Sequence, residues 1–163
     1  MSWTTPETFR AGPFLALALV GLLSGCAANR VISIGHLPSI RPALTTIALA
    51  PQGGTFADLI GMALATQGYT IVDTGGTLAL IVLTHVPQDD PLAPEVMTML
   101  QERGIDALLV VQKTNDADGL PRTVQVRLHS TASRIEVGGV DWENGWFRRG
   151  TLESAQEIAA AIS

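Results

Sequence analysis

Thr46-Ile47-Ala48-Leu49-Ala50-Pro51-Gln52-Gly53-Gly54-Thr55-Phe56-Ala57-Asp58 opens the stretch that decides the fold, and Gly68-Tyr69-Thr70-Ile71-Val72 closes it. The run from Thr46 to Ala50 is short, apolar and ended by Pro51, the pattern of a buried strand. Gly53-Gly54 supplies a turn, and Thr55 with Asp58 three residues on reads as a helix N-cap in a capping-box variant. Phe56, Leu59, Ile60, Ala63 and Leu64 then fall at helical spacing on one apolar face. Gly68 ends the helix in the left-handed position, and Tyr69 to Val72 forms a second strand. Two strands joined through a helix run parallel, so a sheet with packed helices is expected. The glycine pair does not make a phosphate loop, because no lysine follows it and the next glycine, Gly61, lies inside the helix.

Downstream, Thr77 to Val86 is almost wholly apolar, and its length alone does not separate strand from buried helix. A helix is expected from about Leu92 to Arg103, with Leu92, Val96, Met99 and Leu100 on one face and Gly104 as its cap. Ala107 to Val111 is apolar throughout, the mark of a central strand covered on both faces. Asn115-Asp116-Ala117-Asp118-Gly119 lacks the acid and the glutamate that a calcium loop needs at Thr114 and Gln125, so it reads as a hairpin turn. Thr123 to Ser130 alternates, with Val124, Val126 and Leu128 inward. Ile135 and Val137 keep that phase, whereas Val140 and Trp142 break it, which places a β-bulge at Gly138-Gly139. A last helix ends at Ser163, with Ser154 as its expected cap and Glu157 three residues on. The sum is a single α/β (α+β) domain: a mixed sheet of about five strands with helices on its faces, ordered β-α-β-(α)-α-β-β-β-α.

Upstream of the domain, Ala11 to Leu23 is an apolar run too short for a membrane span, which needs ~20 residues, and suits a signal-peptide core. Leu23-Ser24-Gly25-Cys26 follows and resembles a bacterial lipobox. The resemblance implies signal-peptidase recognition through Leu23, Ser24 and Gly25, cleavage before Cys26, and a diacylglycerol on the Cys26 thiol. Cys26 is the only cysteine, and lipidation explains why an exported chain would carry an odd one. Ala27 is not the aspartate that retains many such lipoproteins in the inner membrane, so the outer membrane, periplasmic face, is expected. The expected division is residues 1–25 signal peptide, 26–44 lipidated cysteine and tether, and 45–163 folded domain. Residues 27–43 would reach at most ~60 Å as a tether, and a first strand around Val31–Ile34 is the alternative.

The domain also carries a resemblance of its own. Gly53-Gly54-Thr55-Phe56-Ala57-Asp58, Gly68-Tyr69 with Ile71-Val72-Asp73, Gly104-Ile105-Asp106-Ala107-Leu108-Leu109-Val110 and the alanine-rich terminal helix resemble one envelope group. That group comprises the curli-secretion lipoprotein CsgG, the LpoB-type activators of penicillin-binding proteins, and the TolB amino-terminal domain. The resemblance implies a mixed sheet with helices on its faces, and a helix over Thr77–Leu83. It transmits no function by itself, and the long membrane hairpins of CsgG have no counterpart here.

Composition and motifs narrow the function. With a net charge of −5 and Lys113 as the only lysine, the chain is a poor match for nucleic acid or, by charge, for lipid headgroups. The 137 residues after Cys26 (163 − 26) suffice for one core. His36, His85 and His129 are scattered without metal-ligand spacing, so no metal or cofactor is expected; His85 reads as a core histidine and His129 as solvated. No nucleophile elbow is present, and no catalytic residue is expected. Trp142-Glu143-Asn144-Gly145-Trp146-Phe147-Arg148-Arg149 stands out, since tryptophan, aromatic and arginine residues make interface hot spots. Trp142 reads as core; Trp146, Phe147, Arg148 and Arg149 are the candidate partner-binding residues. The expected function is a lipid-anchored, non-enzymatic adaptor that binds another envelope component. A glycan or small-ligand binding module is the alternative.

Overall fold

The computed structural model describes residues 29–34, 44–145 and 149–163. They form one α+β domain with a mixed sheet of six strands and four helices. In chain order these are β1 (Arg30–Ile34), β2 (Thr46–Leu49), α1 (Gly54–Thr66), β3 (Thr70–Val72), α2 (Thr74–Leu83), α3 (Pro94–Glu102), β4 (Ala107–Asn115), β5 (Pro121–Ser130), β6 (Glu136–Glu143) and α4 (Thr151–Ile162). The spatial order is β1-β6-β5-β4-β2-β3. β2 lies parallel to both β3 and β4, as the strand–helix–strand reading requires, and the pairs β4–β5, β5–β6 and β6–β1 are antiparallel.

The sixth strand is the one that the expected count leaves out. Arg30–Ile34 falls within the 26–44 segment read as a tether, yet Arg30 pairs with Glu143 and Ile34 with Gly139 along the edge of β6. The alternative reading, a first strand around Val31–Ile34, is the one the structure shows, and the pairing explains why the sequence pattern for it is weak. An edge strand with Val31 and Ile32 both well exposed has no buried face to impose alternation.

Two apolar clusters lie on opposite faces of the sheet. On one, α1 and α4 cover Ile47, Leu49, Leu109, Val111, Val124, Val126, Leu128, Val140 and Trp142. On the other, α2 and α3 cover Ala48, Ala50 and Leu108, and no residue of β5 or β6 belongs to that cluster. Helices therefore enclose β2 and the first half of β4, whereas β5, β6 and β1 are covered on one face alone. Gly61 lets α1 settle onto the sheet, since a β-carbon there would lie 2.6 Å from Leu49 Cδ1.

The repeated glycine punctuation is structural. Tyr69 N–H donates to the Leu64 carbonyl and Ile105 N–H to the Leu100 carbonyl, closing α1 and α3 in matching Schellman motifs around Gly68 (φ 100°) and Gly104 (φ 73°). The ambiguous stretch after Asp73 is helical, with the Asp73 carboxylate accepting from Gly76 N–H. Several local expectations need correction. α1 starts at Gly54 after a 3-10 turn, and Asp58, free of any capping box, accepts from Thr74 N–H (3.0 Å) and Thr74 Oγ1 (3.0 Å) at the start of α2. In α3 the buried residues are Val96, Met97 and Leu100, while Leu92 precedes the helix and is exposed. His85 is exposed with φ 59°, because the chain turns out of α2 there instead of burying it. The bulge falls one residue early: Leu128 faces Gly138 and His129 faces Glu136, leaving Val137 as the extra residue.

At the start of β2, Asp106 ties the covered half together. Its carboxylate accepts from Thr45 N–H (2.8 Å), Thr45 Oγ1 (2.9 Å) and Thr46 N–H (2.9 Å). Partial burial pushes its pKa up, but the three hydrogen bonds to the charged form outweigh that and hold it below the usual carboxylate range.

Candidate functional site

The residues singled out after Trp142 sit where β6 gives way to α4. Trp142 is buried, as its position opposite Val124 and Val31 dictates, and its Nε1–H donates to Glu157 Oε2 at 2.9 Å. The same carboxylate oxygen accepts from Asn29 Nδ2 (2.6 Å) and lies 3.4 Å from Arg149 Nε. Glu157 reaches all three because it lies one and a half turns into α4, on the face turned toward β6 and β1. Gly150, not Ser154, precedes the first turn of α4; Ser154 is buried one turn on, with its hydroxyl on the Gly150 carbonyl (2.8 Å).

Asn144 closes the other side. Its Oδ1 accepts from Arg149 N–H (3.0 Å), and its Nδ2 donates to the Pro121 carbonyl (2.9 Å) and more weakly to that of Arg149 (3.4 Å). Asn29 Oδ1 accepts from Gly145 N–H at 2.8 Å. Gly145 and Arg149 are thus fixed by two asparagines from different parts of the chain. Trp146, Phe147 and Arg148 lie outside the described residues, as do Cys26, Leu23, Ser24 and Gly25. Of the candidate partner residues, Arg149 is described; its side chain is 48% exposed beside Glu157.

Asn29, Asn144 and Glu157 were not singled out by sequence reasoning. Asn144-Gly145 signals a turn, which gives its backbone role but not its clamp. Glu157 has the spacing of a capping partner to Ser154, and that spacing hides its long-range role. Asn29 carries no local signal at all, since its partners are 116 and 128 residues away.

The uncovered face of β5, β6 and β1 is polar. Arg127 extends across Gly139, where a β-carbon would lie 2.3 Å from the Val126 carbonyl, and Nη2 meets Asp141 Oδ1 at 2.6 Å. Arg127 Nε lies 3.6 Å from Glu136. His129, beside them, has its pKa lowered by burial first and by Arg127, with Glu136 opposing. Toward the start of β1 a groove of about 280 Å³ runs between Arg30, Ile32, Thr123, Gln125, Asp141 and Glu143. Among the described residues no group of three or more histidine, cysteine, aspartate or glutamate side chains could hold a metal ion, and no helix is long and apolar enough to cross a membrane.

No family model matches the sequence, and no curated protein matches it. Solved structures do resemble the domain. The PelC dodecamer from Paraburkholderia phytofirmans is 12% identical, with 83% of this chain aligned to 94% of that one at a TM-score of 0.51. Lipoprotein GNA1162 from Neisseria meningitidis is 16% identical over 72% of this chain and 94% of its own, with a TM-score of 0.49. The LpoB C-terminal domain from Escherichia coli is 13% identical over 64% of this chain and 84% of its own, at 0.45. The likeness to PelC is one of fold. An LpoB domain and a lipoprotein stand among the similar structures, as the resemblance implies in part; its CsgG and TolB parts find no support in them.

Proposed function

We propose that the chain is a lipid-anchored, non-enzymatic lipoprotein on the periplasmic face of the outer membrane, where it binds another envelope protein as an adaptor or accessory subunit. Lipid on Cys26 is the anchor, and Leu23, Ser24 and Gly25 guide cleavage. Trp146, Phe147, Arg148 and Arg149 contact the partner. The observation that carries the reading is the clamp at the two flanks of that segment: Asn29 holds Gly145 and Asn144 holds Arg149, so both ends of an aromatic and arginine-rich stretch are fixed on the sheet. Binding residues concentrate on loops held by such scaffolds. The glycan-binding alternative would use an exposed tryptophan for stacking, and the tryptophan among the described residues, Trp142, is buried with its N–H committed.

Two measurements test this. Labelled fatty acid should enter the wild-type chain and not Cys26→Ser; equal labelling of both refutes the anchor. Crosslinking in the native envelope, with the partner identified by mass spectrometry, should lose the crosslink in Phe147→Ala and Arg148→Ala while their unfolding midpoints stay near wild type. A thermal shift with cell-wall fragments and no protein crosslink would favour the glycan-binding module.

A further inference from the structure

The first described residue fixes how close the domain stands to its anchor. Asn29 is three residues beyond Cys26, and at ~3.5 Å per residue those residues span no more than ~10 Å whatever their conformation. Asn29 is not free to pay out further chain. Its side chain is held by Gly145 N–H and Glu157 Oε2, and Arg30 is already paired with Glu143 in β1. The long spacer expected from the sequence therefore does not lie between the cysteine and the sheet.

That end of the molecule contains more than the start of β1. Antiparallel pairing places the end of β6 and the start of β5 beside Arg30, and Asn144 joins both to Arg149 at the start of α4. Arg30 and Arg122 are exposed there, Arg149 is half-exposed, and Leu152 in the first turn of α4 is 53% exposed. Glu143, Glu153 and Asp118 of the β4–β5 turn are exposed at the same end, so charge does not select a surface. Covalent reach does. The opposite end is the β5–β6 turn at Ala132-Ser133, a full β5 strand of 10 residues away, or about 30 Å at ~3.3 Å per residue.

We propose that the end of the domain formed by Arg30, Arg122 and Leu152 rests on the phospholipid headgroups, with the β5–β6 turn pointing away from the bilayer. This orientation rests on the anchor reading above. It makes the lipoprotein a stub standing on the membrane instead of a domain on a long leash, with its uncovered sheet face roughly upright and open to the side.

The chain's single cysteine supplies a test, since acylated Cys26 leaves an introduced cysteine as the one free thiol. Full-length Leu152→Cys, Arg122→Cys and Ala132→Cys proteins are purified in acylated form and labelled with a thiol-reactive fluorophore. They are then placed in phosphatidylethanolamine and phosphatidylglycerol vesicles that carry headgroup spin-labelled lipid. Fluorophores at 152 and 122 should lose most of their emission, and the one at 132 should keep it. A flexible Gly/Ser linker of ~20 residues inserted after Ala28 should abolish the difference. Equal quenching at all three sites, stronger quenching at 132, or a difference that survives the linker overturns the orientation. Mass spectrometry keeps the two readings apart: no acyl mass on Cys26 removes the anchor and this inference with it, whereas an acylated protein with equal quenching removes the orientation alone.

Discussion

Leu108 and Leu109 are neighbours on β4, as Asp141 and Trp142 are on β6, yet the two pairs meet different surroundings. Leu108 points into the cluster under α2 and α3, Leu109 into the one under α1 and α4, and both are wholly buried. Trp142 is buried under α4, while Asp141, facing the other way, stays partly exposed beside Arg127. One sheet thus has a half enclosed by helices on both faces and a half enclosed on one. The parallel half reads in sequence as unbroken apolar runs, and the antiparallel half as alternation. The difference also divides the surface: both halves contribute to the core, and the half-open one adds the clamp and the polar face.

The sharpest way to break that division is to truncate neighbours in pairs. Leu108→Ala and Leu109→Ala should each cost ~2–5 kcal/mol, and Trp142→Ala ~3–5 kcal/mol, by the ordinary cost of emptying a packed core site. Urea denaturation with a common slope measures all three. If Leu108→Ala proves mild while Leu109→Ala does not, α2 and α3 form a loose cover and the sheet is one-sided throughout.

Asp106 tests the enclosed half at its edge. Asp106→Ala strands the Thr45 and Thr46 N–H groups that its carboxylate satisfies, at a cost of ~1–2 kcal/mol near neutral pH. The sign of the pH dependence follows from its lowered pKa. The unfolded chain takes up this proton more readily, so the contribution is present above the ordinary aspartate pKa and is lost as pH falls through the folded value. Denaturation midpoints of wild type and variant should therefore converge below about pH 4. A gap that persists unchanged into acid would show that the lost packing, and not the charge, holds the two strand starts.

How much of this was legible follows the same division. Wherever burial on a face imposes periodicity, as in Phe56 to Leu64, Ala107 to Val111 or Val124 to Leu128, the residues announce their element. Both Schellman glycines were readable because their φ requirement is local. β1 was readable only as the alternative to a tether, because an exposed edge strand leaves little imprint in side-chain pattern. The clamp was illegible for another reason: Asn29, Asn144 and Glu157 are ordinary surface residue types whose meaning lies in partners far along the chain. Asn144-Gly145 was visible as a turn, and Trp142 as core, so the neighbourhood of the site could be found while its construction could not.

The smallest expected effect probes the open face itself. Asp141 meets Arg127 at 2.6 Å, with side chains 37% and 24% exposed, and Arg127 keeps the Val126 carbonyl (2.9 Å), the Val140 carbonyl (3.4 Å) and Glu136 when Asp141 is removed. A pair this accessible is worth ~0–1 kcal/mol, because solvent competes for both charges and ordering two side chains costs entropy. Asp141→Ala should therefore lower stability by less than ~1 kcal/mol, and the loss should shrink further in high salt, where exposed charges are screened. Trp142, the next residue on the same strand, sets the contrast in the same denaturation experiment. The isolated soluble domain and the full-length protein in membranes should agree on Asp141→Ala. If the substitution is mild in the first and severe in the second, something in the envelope packs against this face. If it is severe in both, the face is part of the core, and the division between the two halves of the sheet fails.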